Sequence, residues 1–203
     1  MSDIICVTNR RLCSDFLGRM EAVAAAGPSA VILREKDMKE EEYEALAARV
    51  IEICGENGVL CILHSFVNAA KRLSCRRLHM PLEALEALSE EERLGFDVLG
   101  ASCHSAGDAV RAEALGCTYV TAGHIFDTDS KKGTPGRGLD FLEKVCDAVD
   151  IPVYAIGGIG PDNIRSVLEA GAAGACVMSG LMTCDDAGAY MDLMKEESLR
   201  ETI

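Results

Sequence analysis

The chain has 203 residues, of which 49% are hydrophobic, so it can bury one sizeable core and we expect a single domain over residues 1–203. With 33 acidic against 20 basic residues its net charge is -13, which argues against nucleic acid or a membrane as partner and favours a small molecule. The sequence shows no signal segment and no long apolar run, so we expect a cytoplasmic protein. Its ten cysteines are scattered and predict free core thiols.

Short apolar runs, each predicting a strand, alternate along the chain with longer segments of helical period. The predicted strands are Ile4 to Thr8, Ala30 to Leu33, Leu60 to Leu63, Leu78 to Met80, Val98 to Ser102, Tyr119 to Ala122, Val153 to Ile156 and Ala175 to Met178. The clearest predicted helices are Lys39 to Cys54, Ala106 to Leu115, Leu139 to Val149 and Asn163 to Ala170, and a polar tail is expected after about residue 195. Eight such units favour a single (β/α)8 TIM barrel, with an open doubly wound sheet as the alternative.

Barrels of this kind place active-site groups at the carboxyl ends of their strands. The residues just after the apolar runs should therefore lie together on one face. They are Thr8, Asn9, Arg34, Lys36, His64, Met80, Ser102, His104, His124, Gly157, Gly158, Ser179 and Gly180.

The segment after the sixth predicted strand is long for a strand-to-helix connection and is rich in polar residues and glycine. It begins at His124 and carries the cations Lys131, Lys132 and Arg137. In an acidic protein such a cluster indicates a local site for an anionic ligand. We therefore expect residues 124–138 to form a binding loop.

Two glycine-containing segments follow the last two strands, Gly157-Gly158 and Ser179-Gly180. Backbone N–H groups there could cradle a phosphate beside a helix start, as barrels often do after strands seven and eight. The alternative is that these glycines only form tight turns. The sequence favours the phosphate site.

Four motifs in order, Ile32 to Lys36, Gly100 to His104, Gly123 to Lys131 and Ile151 to Gly158, resemble the thiamine phosphate synthase superfamily. The resemblance runs from the first strand to Gly180 and implies a TIM barrel. The superfamily contains a synthase, which joins a pyrimidine diphosphate to a thiazole phosphate, and a thiazole tautomerase, which aromatises a thiazole carboxylate phosphate.

The resemblance to the synthase branch is incomplete at the positions that would hold magnesium. His64 and Ser65 stand where synthases carry Asn-Asp after the third strand, and Ala84 stands where a second Asp is expected. Magnesium needs hard oxygen ligands, so the expected metal site is lost, and neighbouring Glu83 is a poor substitute. Ile32 also replaces a Gln of the synthases, although Lys36 is retained.

A histidine in Gly123-His-Ile-Phe126, where synthases read Gly-Pro-Ile-Phe, resembles the tautomerase branch. The sequence therefore predicts a thiazole tautomerase, an isomerase that needs no metal or organic cofactor, with His124 as the catalytic proton shuttle. Two alternatives stay open: a magnesium-dependent thiamine phosphate synthase, and a regulatory barrel that binds a thiazole phosphate without turnover. Association into a homo-oligomer is also possible for this family.

The resemblance assigns substrate contacts to further residues of the predicted site. Thr128, Ser130 and Lys131 are implied to donate to phosphate or carboxylate, and Ser102 and the two glycine segments complete the binding site. Arg34 and Lys36 are expected to meet the substrate, unless one of them pairs with Glu35 or Asp37. His104 is expected to orient the substrate or to be structural, His64 to line the pocket or pack, and His79 to be structural.

Overall fold

The computed structural model describes residues 3–131 and 133–199, with the side chain of Ser130 also left undescribed. Eight parallel strands close into a barrel in which β8 pairs with β1. The strands are β1 Asp3–Val7, β2 Ala30–Leu33, β3 Leu60–His64, β4 Arg77–Pro81, β5 Val98–Cys103, β6 Tyr119–Gly123, β7 Val153–Ile156 and β8 Gly174–Val177. The predicted TIM barrel is confirmed.

Helices connect the strands and form the outer layer. They are α1 Phe16–Ala25, α2 Glu40–Glu56, α3 Val67–Arg72, α4 Leu82–Glu86, α5 Glu90–Leu94, α6 Ala106–Ala114, α7 Leu139–Cys146, α8 Ile164–Glu169, α9 Ser179–Thr183 and α10 Ala187–Leu199. Two single 3₁₀ turns, Arg10–Leu12 and Asp129–Lys131, lie in loops. The four helices predicted from the sequence are all present, with ends that differ by at most three residues.

Alternation along the strands divides the apolar residues between two layers, because successive side chains of a strand point to opposite faces. A small cluster fills the barrel interior: Ile5, Val7, Ala30, Ile32, Ile62, Tyr119 and Cys176. A much larger cluster lies between the strands and the helices. The mouth above the interior cluster is where the strand-end residues gather.

Most of the predicted strands differ from the structure by one residue at one or both ends. Met178 was predicted in the last strand, but β8 ends at Val177 and Met178 is the residue that precedes α9. The expected polar tail is helical as far as Leu199, because α10 buries Met191 and Met194 against the barrel's outer layer. All ten cysteines are free thiols and seven of them are buried, as predicted. Within the described ranges, no helix has the length and apolar character to cross a membrane.

Candidate active site at the carboxyl end of the barrel

A buried carboxylate joins the ends of β1 and β2. Glu35, only 2% exposed, accepts a hydrogen bond of 2.6 Å from the hydroxyl of Thr8 and bonds of 3.0 and 3.1 Å from the Arg10 backbone N–H. The Thr8 hydroxyl oxygen in turn accepts from the backbone N–H of Arg34 at 2.9 Å. Because every link is a short hydrogen bond to a buried group, the backbone at Arg34 is held rigidly at the mouth.

The neighbouring acids are occupied by other cations. Asp37 receives Arg10 at 2.5 Å and Arg11 at 2.7 Å, and Arg10 also lies 3.4 Å from Glu35. In the described part of the chain, no carboxylate lies within 4 Å of the side-chain nitrogens of Arg34 or Lys36. Among the described residues, Glu35 and Asp37 thus form their ion pairs with Arg10 and Arg11 and not with Arg34 or Lys36, although the charge of Glu35 still acts on Arg34.

Three cations share the mouth. Burial lowers the pKa of Lys36, and the positive charges of Arg34 and Lys131 lower it further. Burial likewise lowers the pKa of half-buried Arg34. The charges of Arg34 and Lys131 both act on Lys36, so the loop that carries Lys131 and the end of β2 direct positive charge toward the same region. This cation cluster, Arg34, Lys36 and Lys131, is able to receive a multiply charged anion.

Two buried histidines lie beside the cation cluster. The rings of His64 and His79 are 5.7 Å apart between centroids, and each side chain is only 3% exposed. Burial lowers the pKa of His79 to about 3, helped by Lys36 and Arg34. The same causes, with His79 acting after burial, hold the pKa of His64 well below its usual range. Both imidazoles are therefore neutral at physiological pH.

Both histidine rings have hydrogen-bond partners. The Nδ1 atom of His64 lies 2.7 Å from the Ser65 hydroxyl. His79 bridges two strands, with Nδ1 2.9 Å from the hydroxyl of Tyr119 on β6 and Nε2 2.9 Å from the hydroxyl of Ser102 on β5. His79 was predicted to be structural. It connects Tyr119 to Ser102 by these two hydrogen bonds.

The loop after β6 is held to the barrel by its own backbone. The N–H groups of Ile125 and Phe126 donate to the carbonyls of Ile156 and Gly157, each at 3.0 Å. On the returning side, Arg137 N–H donates to the carbonyl of His124 at 3.0 Å. His124 is 9% exposed, and its Nε2 lies 3.1 Å from the carbonyl oxygen of Thr134. The two described arms of the loop, residues 124–131 and 133–138, are thus held to the barrel and to each other.

Two of the predicted substrate contacts of this loop, Thr128 and Lys131, line a hollow. Its volume is about 550 Å³ and its lining includes Thr128, Lys131, Gly133 and Thr134. Lys131 N–H donates to the carbonyl of Thr128 at 3.0 Å, which closes the 3₁₀ turn that contains Ser130. The side chain of Ser130 and all of Lys132 lie outside what the structure describes.

His104 and Arg137 are used within the protein. The Nδ1 atom of His104 lies 3.0 Å from the carbonyl oxygen of Gly123, and the guanidinium of Arg137 donates to the His104 carbonyl at 2.9 Å. Arg137 also lies over the ring of Phe141, 5.2 Å from its centroid. These contacts support the structural alternative for His104. Arg137 was predicted to act with Lys131 and Lys132 on an anionic ligand, but its guanidinium is used here within the protein.

Gly157 and Gly158 both have positive φ, +104° and +67°. A Cβ at Gly157 would come within 2.8 Å of the His124 Cα, and one at Gly158 within 2.6 Å of the Asp127 carbonyl oxygen. Glycine is required here both by the left-handed backbone and by contact with the loop. Their predicted contact with phosphate stays a prediction.

Ser179 and Gly180 begin the short helix α9. A Cβ at Gly180 would lie 2.5 Å from Cζ of Tyr190 on α10, so this glycine allows two helices to meet. The packing gives Gly180 a structural reason that the sequence alone did not reveal. A role of Ser179 and Gly180 in binding phosphate stays a prediction.

The residues at the mouth do not suit the magnesium that the synthase resemblance implies. The Nδ1 atom of His64 is hydrogen-bonded to Ser65, the side chain of Ala84 has no atom that could bind a metal, and Glu83 is exposed on α4. Glu35 is fully engaged by Thr8 and Arg10. Across the described residues, no group of three or more His, Cys, Asp or Glu side chains could hold a metal ion. Magnesium in proteins is usually held by one or two carboxylates together with substrate phosphates, and at the two positions where the resemblance expects those carboxylates the chain has Ser65 and Ala84.

The sequence analysis did not predict the contact between Tyr119 and His79 or the hydrogen bonds that Glu35 makes with Thr8 and Arg10. Tyr119 opens β6 and shares the interior face with Thr121 and Gly123, a placement that alternation along the strand could have indicated. Its partner on β4 could not be inferred, because that contact crosses β5. Glu35 was considered only as a surface ion-pair partner.

Comparisons with known proteins place the chain among related sequences. A family model described as "Thiamine monophosphate synthase" matches residues 4–181. The chain is 32% identical over 177 residues to "Thiamine-phosphate synthase" of Coprothermobacter proteolyticus, covering 85% of this chain and 82% of that protein. It is 36% identical over 184 residues to "Thiamine biosynthesis bifunctional protein ThiM/ThiE" of Symbiobacterium thermophilum, covering 89% of this chain but only 38% of that longer protein.

A solved structure gives the same result. "Thiamine phosphate pyrophosphorylase" from Pyrococcus furiosus superposes with a TM-score of 0.83 at 28% identity, covering 97% of this chain and 95% of that one. The names of these relatives describe a synthase, a transferase. They contradict the sequence prediction of a thiazole tautomerase and of an isomerase, which is wrong on this comparison.

Proposed function

Since the chain belongs to the thiamine monophosphate synthase family, we propose that it is a thiamine-phosphate synthase. It would join a pyrimidine diphosphate to a thiazole phosphate and release pyrophosphate. The observation that carries the proposal is the identity of 32% to a relative of that name over 85% of the chain. The cation cluster at the mouth supplies the matching chemistry.

The reaction requires a site for a developing anion. The carbon–oxygen bond to the diphosphate breaks, a bond to the thiazole nitrogen forms, and both bonding electrons of the broken bond leave with pyrophosphate. Arg34 and Lys36 have no carboxylate partner within the described chain and lie beside Lys131. Positive charge from these three cations would stabilise the leaving pyrophosphate more than the bound diphosphate ester, which favours bond breaking.

The remaining residues bind and orient. The Thr8–Glu35 hydrogen bond fixes the strand end that carries Arg34 and Lys36. The described arms of the loop, residues 124–131 and 133–138, are hydrogen-bonded to the end of the barrel and carry Lys131, whose charge acts on Lys36. Ser102, held by His79, offers a hydroxyl at the floor of the mouth. Because the carboxylates expected to hold magnesium are missing, no step of the proposed reaction is assigned to a metal.

The test is direct synthesis. Purified protein is mixed with the pyrimidine diphosphate and the thiazole phosphate, once with magnesium and once with excess chelator, and thiamine phosphate and pyrophosphate are both quantified. We expect the two products in equal amounts. Failure to form either product with magnesium present would overturn the proposal.

A binding measurement separates the remaining alternative. If neither product forms, calorimetry with the thiazole phosphate alone tests for a barrel that binds without turnover. Product formation excludes that alternative, because a non-catalytic protein cannot release pyrophosphate.

A further inference from the structure

We propose that Tyr119 is a positioning residue of the proposed synthase site: through His79 it fixes the direction of the Ser102 hydroxyl, so that Ser102 donates a hydrogen bond to the bound substrate. The three side chains come from β6, β4 and β5 and form one chain, with both hydrogen bonds at 2.9 Å. The inference rests on the proposed function only for the identity of the ligand.

The polarity of this chain follows from the phenol. Tyr119 is 5% exposed, and burial raises the pKa of its hydroxyl well above the usual range, so the hydroxyl keeps its proton. Among the described residues, the Nδ1 atom of His79 is the hydrogen-bond partner found for that hydroxyl. The phenol proton is therefore directed at Nδ1, which must accept and carries no proton of its own.

The second bond then has only one direction. A neutral imidazole carries a single proton, and with Nδ1 accepting, that proton sits on Nε2. The Nε2–H group donates to the Ser102 oxygen at 2.9 Å. Ser102 consequently keeps its own proton for a third group. Because Val98, Gly100 and Ser102 alternate onto the interior face of β5, this proton is available to a ligand at the mouth.

Gly100 makes the arrangement possible. A Cβ at this position would lie 2.5 Å from the Tyr119 hydroxyl oxygen, so the phenol occupies the space that a side chain on β5 would fill. The hydrogen-bond chain ends at Tyr119. Tyr154 contacts the ring of Tyr119 edge-on, but its hydroxyl donates to Asp3 at 3.0 Å and takes no part in the chain.

The tautomer of His79 is the first readout. Protonated and unprotonated ring nitrogens differ in their ¹⁵N chemical shifts, so the spectrum of labelled protein identifies the proton position. We expect wild type to carry the proton on Nε2. Ser102→Ala should keep that tautomer, because Tyr119 still donates to Nδ1, whereas Tyr119→Phe should give a mixture of both.

Gly100→Ala is a second variant that leaves every hydrogen-bonding group in place but displaces the phenol. It should reproduce the mixed spectrum of Tyr119→Phe. Tyr154→Phe is the matched control, since it removes the same atom from the adjoining ring and should leave the tautomer unchanged. Circular dichroism of Tyr119→Phe, Gly100→Ala and Tyr154→Phe checks that all three variants fold. The inference requires the tautomer to change in the first two variants and to stay as in wild type in Tyr154→Phe.

The functional readout is the split between KM and kcat for the pyrimidine diphosphate. Losing one neutral hydrogen bond to the substrate should raise KM about 3- to 10-fold in Tyr119→Phe and Ser102→Ala, with kcat nearly constant. If wild type makes no product, the proposed function fails, and the tautomer spectra still decide the inference. An Nδ1–H tautomer in wild type, or an unchanged tautomer in Tyr119→Phe, would overturn it.

Discussion

The Nε2 atom of His124 lies 3.1 Å from the carbonyl oxygen of Thr134, ten residues further along the chain. A carbonyl can only accept, so His124 donates from Nε2 and its neutral tautomer leaves Nδ1 unprotonated. The bond joins the first residue of the loop to its returning arm. His124 therefore acts on the loop itself, whatever contact it makes with a substrate.

Replacing His124 by Ala should loosen the returning arm of the loop. One neutral hydrogen bond contributes about 0.5–1.5 kcal/mol, so amide hydrogen exchange in residues 133–138 should accelerate about 3- to 10-fold. Exchange in α2 should stay as in wild type. His104→Ala is the matched control, because its Nδ1 bonds the Gly123 carbonyl instead and should leave residues 133–138 protected. Equal exchange in wild type and His124→Ala would show that the hydrogen bond from His124 to Thr134 does not hold the returning arm.

Gly157→Ala should disturb the site more than its backbone strain alone explains. The new methyl group would meet the Cα of His124 at 2.8 Å, and φ is +104°. Gly133→Ala carries a comparable strain, with φ +83°, but meets nothing within 4 Å. Each variant should lose about 1–2 kcal/mol of stability from strain, and Gly157→Ala should lose more, with a larger fall in synthesis. Urea unfolding and turnover of both variants decide this, and equal losses would contradict it.

How far the sequence predicted the molecule depends on whether a feature is local or crosses elements. The eight strands and the clearest helices follow from apolar periodicity, which is local, and all are present. Gly180 was attributed to phosphate, yet it also faces Tyr190 on another helix. The hydrogen bond from Thr8 to Glu35 spans 27 residues. Contacts of this kind depend on how strands and helices pack, which no local pattern contains.

Lys36→Gln should weaken the binding of inorganic pyrophosphate. Lys36 is a member of the cation cluster, and losing a charge-assisted hydrogen bond costs about 1.5–3 kcal/mol, or about 10- to 100-fold in affinity. Lys144→Gln, on α7, changes the net charge equally but removes an exposed lysine remote from the strand ends. Calorimetry in excess chelator measures both variants. Equal weakening by the two would mean that overall charge, and not the cluster, controls binding.

The double substitution Ser65→Asp and Ala84→Asp should introduce a dependence on magnesium. It places carboxylates at the two positions that the synthase resemblance assigns to metal ligands. Ser65 has φ +68°, a conformation that Asp tolerates better than most residues. Wild-type synthesis should proceed in excess chelator, while the double variant should be stimulated by magnesium. Synthesis by wild type that stops in chelator would show that a metal binds through other groups.

The two buried histidines should make stability fall as the solution becomes acidic. The pKa of His79 is lowered to about 3 by burial, with Lys36 and Arg34 adding to it. The unfolded chain titrates near pH 6.5, so below that pH it binds a proton that the folded state refuses. The stabilisation is complete above about pH 6.5 and is lost as the pH falls toward 3.

The slope of the free energy of unfolding between pH 6.5 and 5 measures this effect. Well below pH 6.5, each such histidine contributes about 1.4 kcal/mol per pH unit, so His79→Gln and His64→Gln should each flatten the slope by up to that amount. Ile62→Val is the control: it removes a methyl group from the interior cluster and should lower stability equally at every pH. Urea unfolding at four pH values gives the slopes. If His79→Gln and wild type have the same slope, folding does not lower the pKa of His79, and the argument that burial keeps its ring neutral fails.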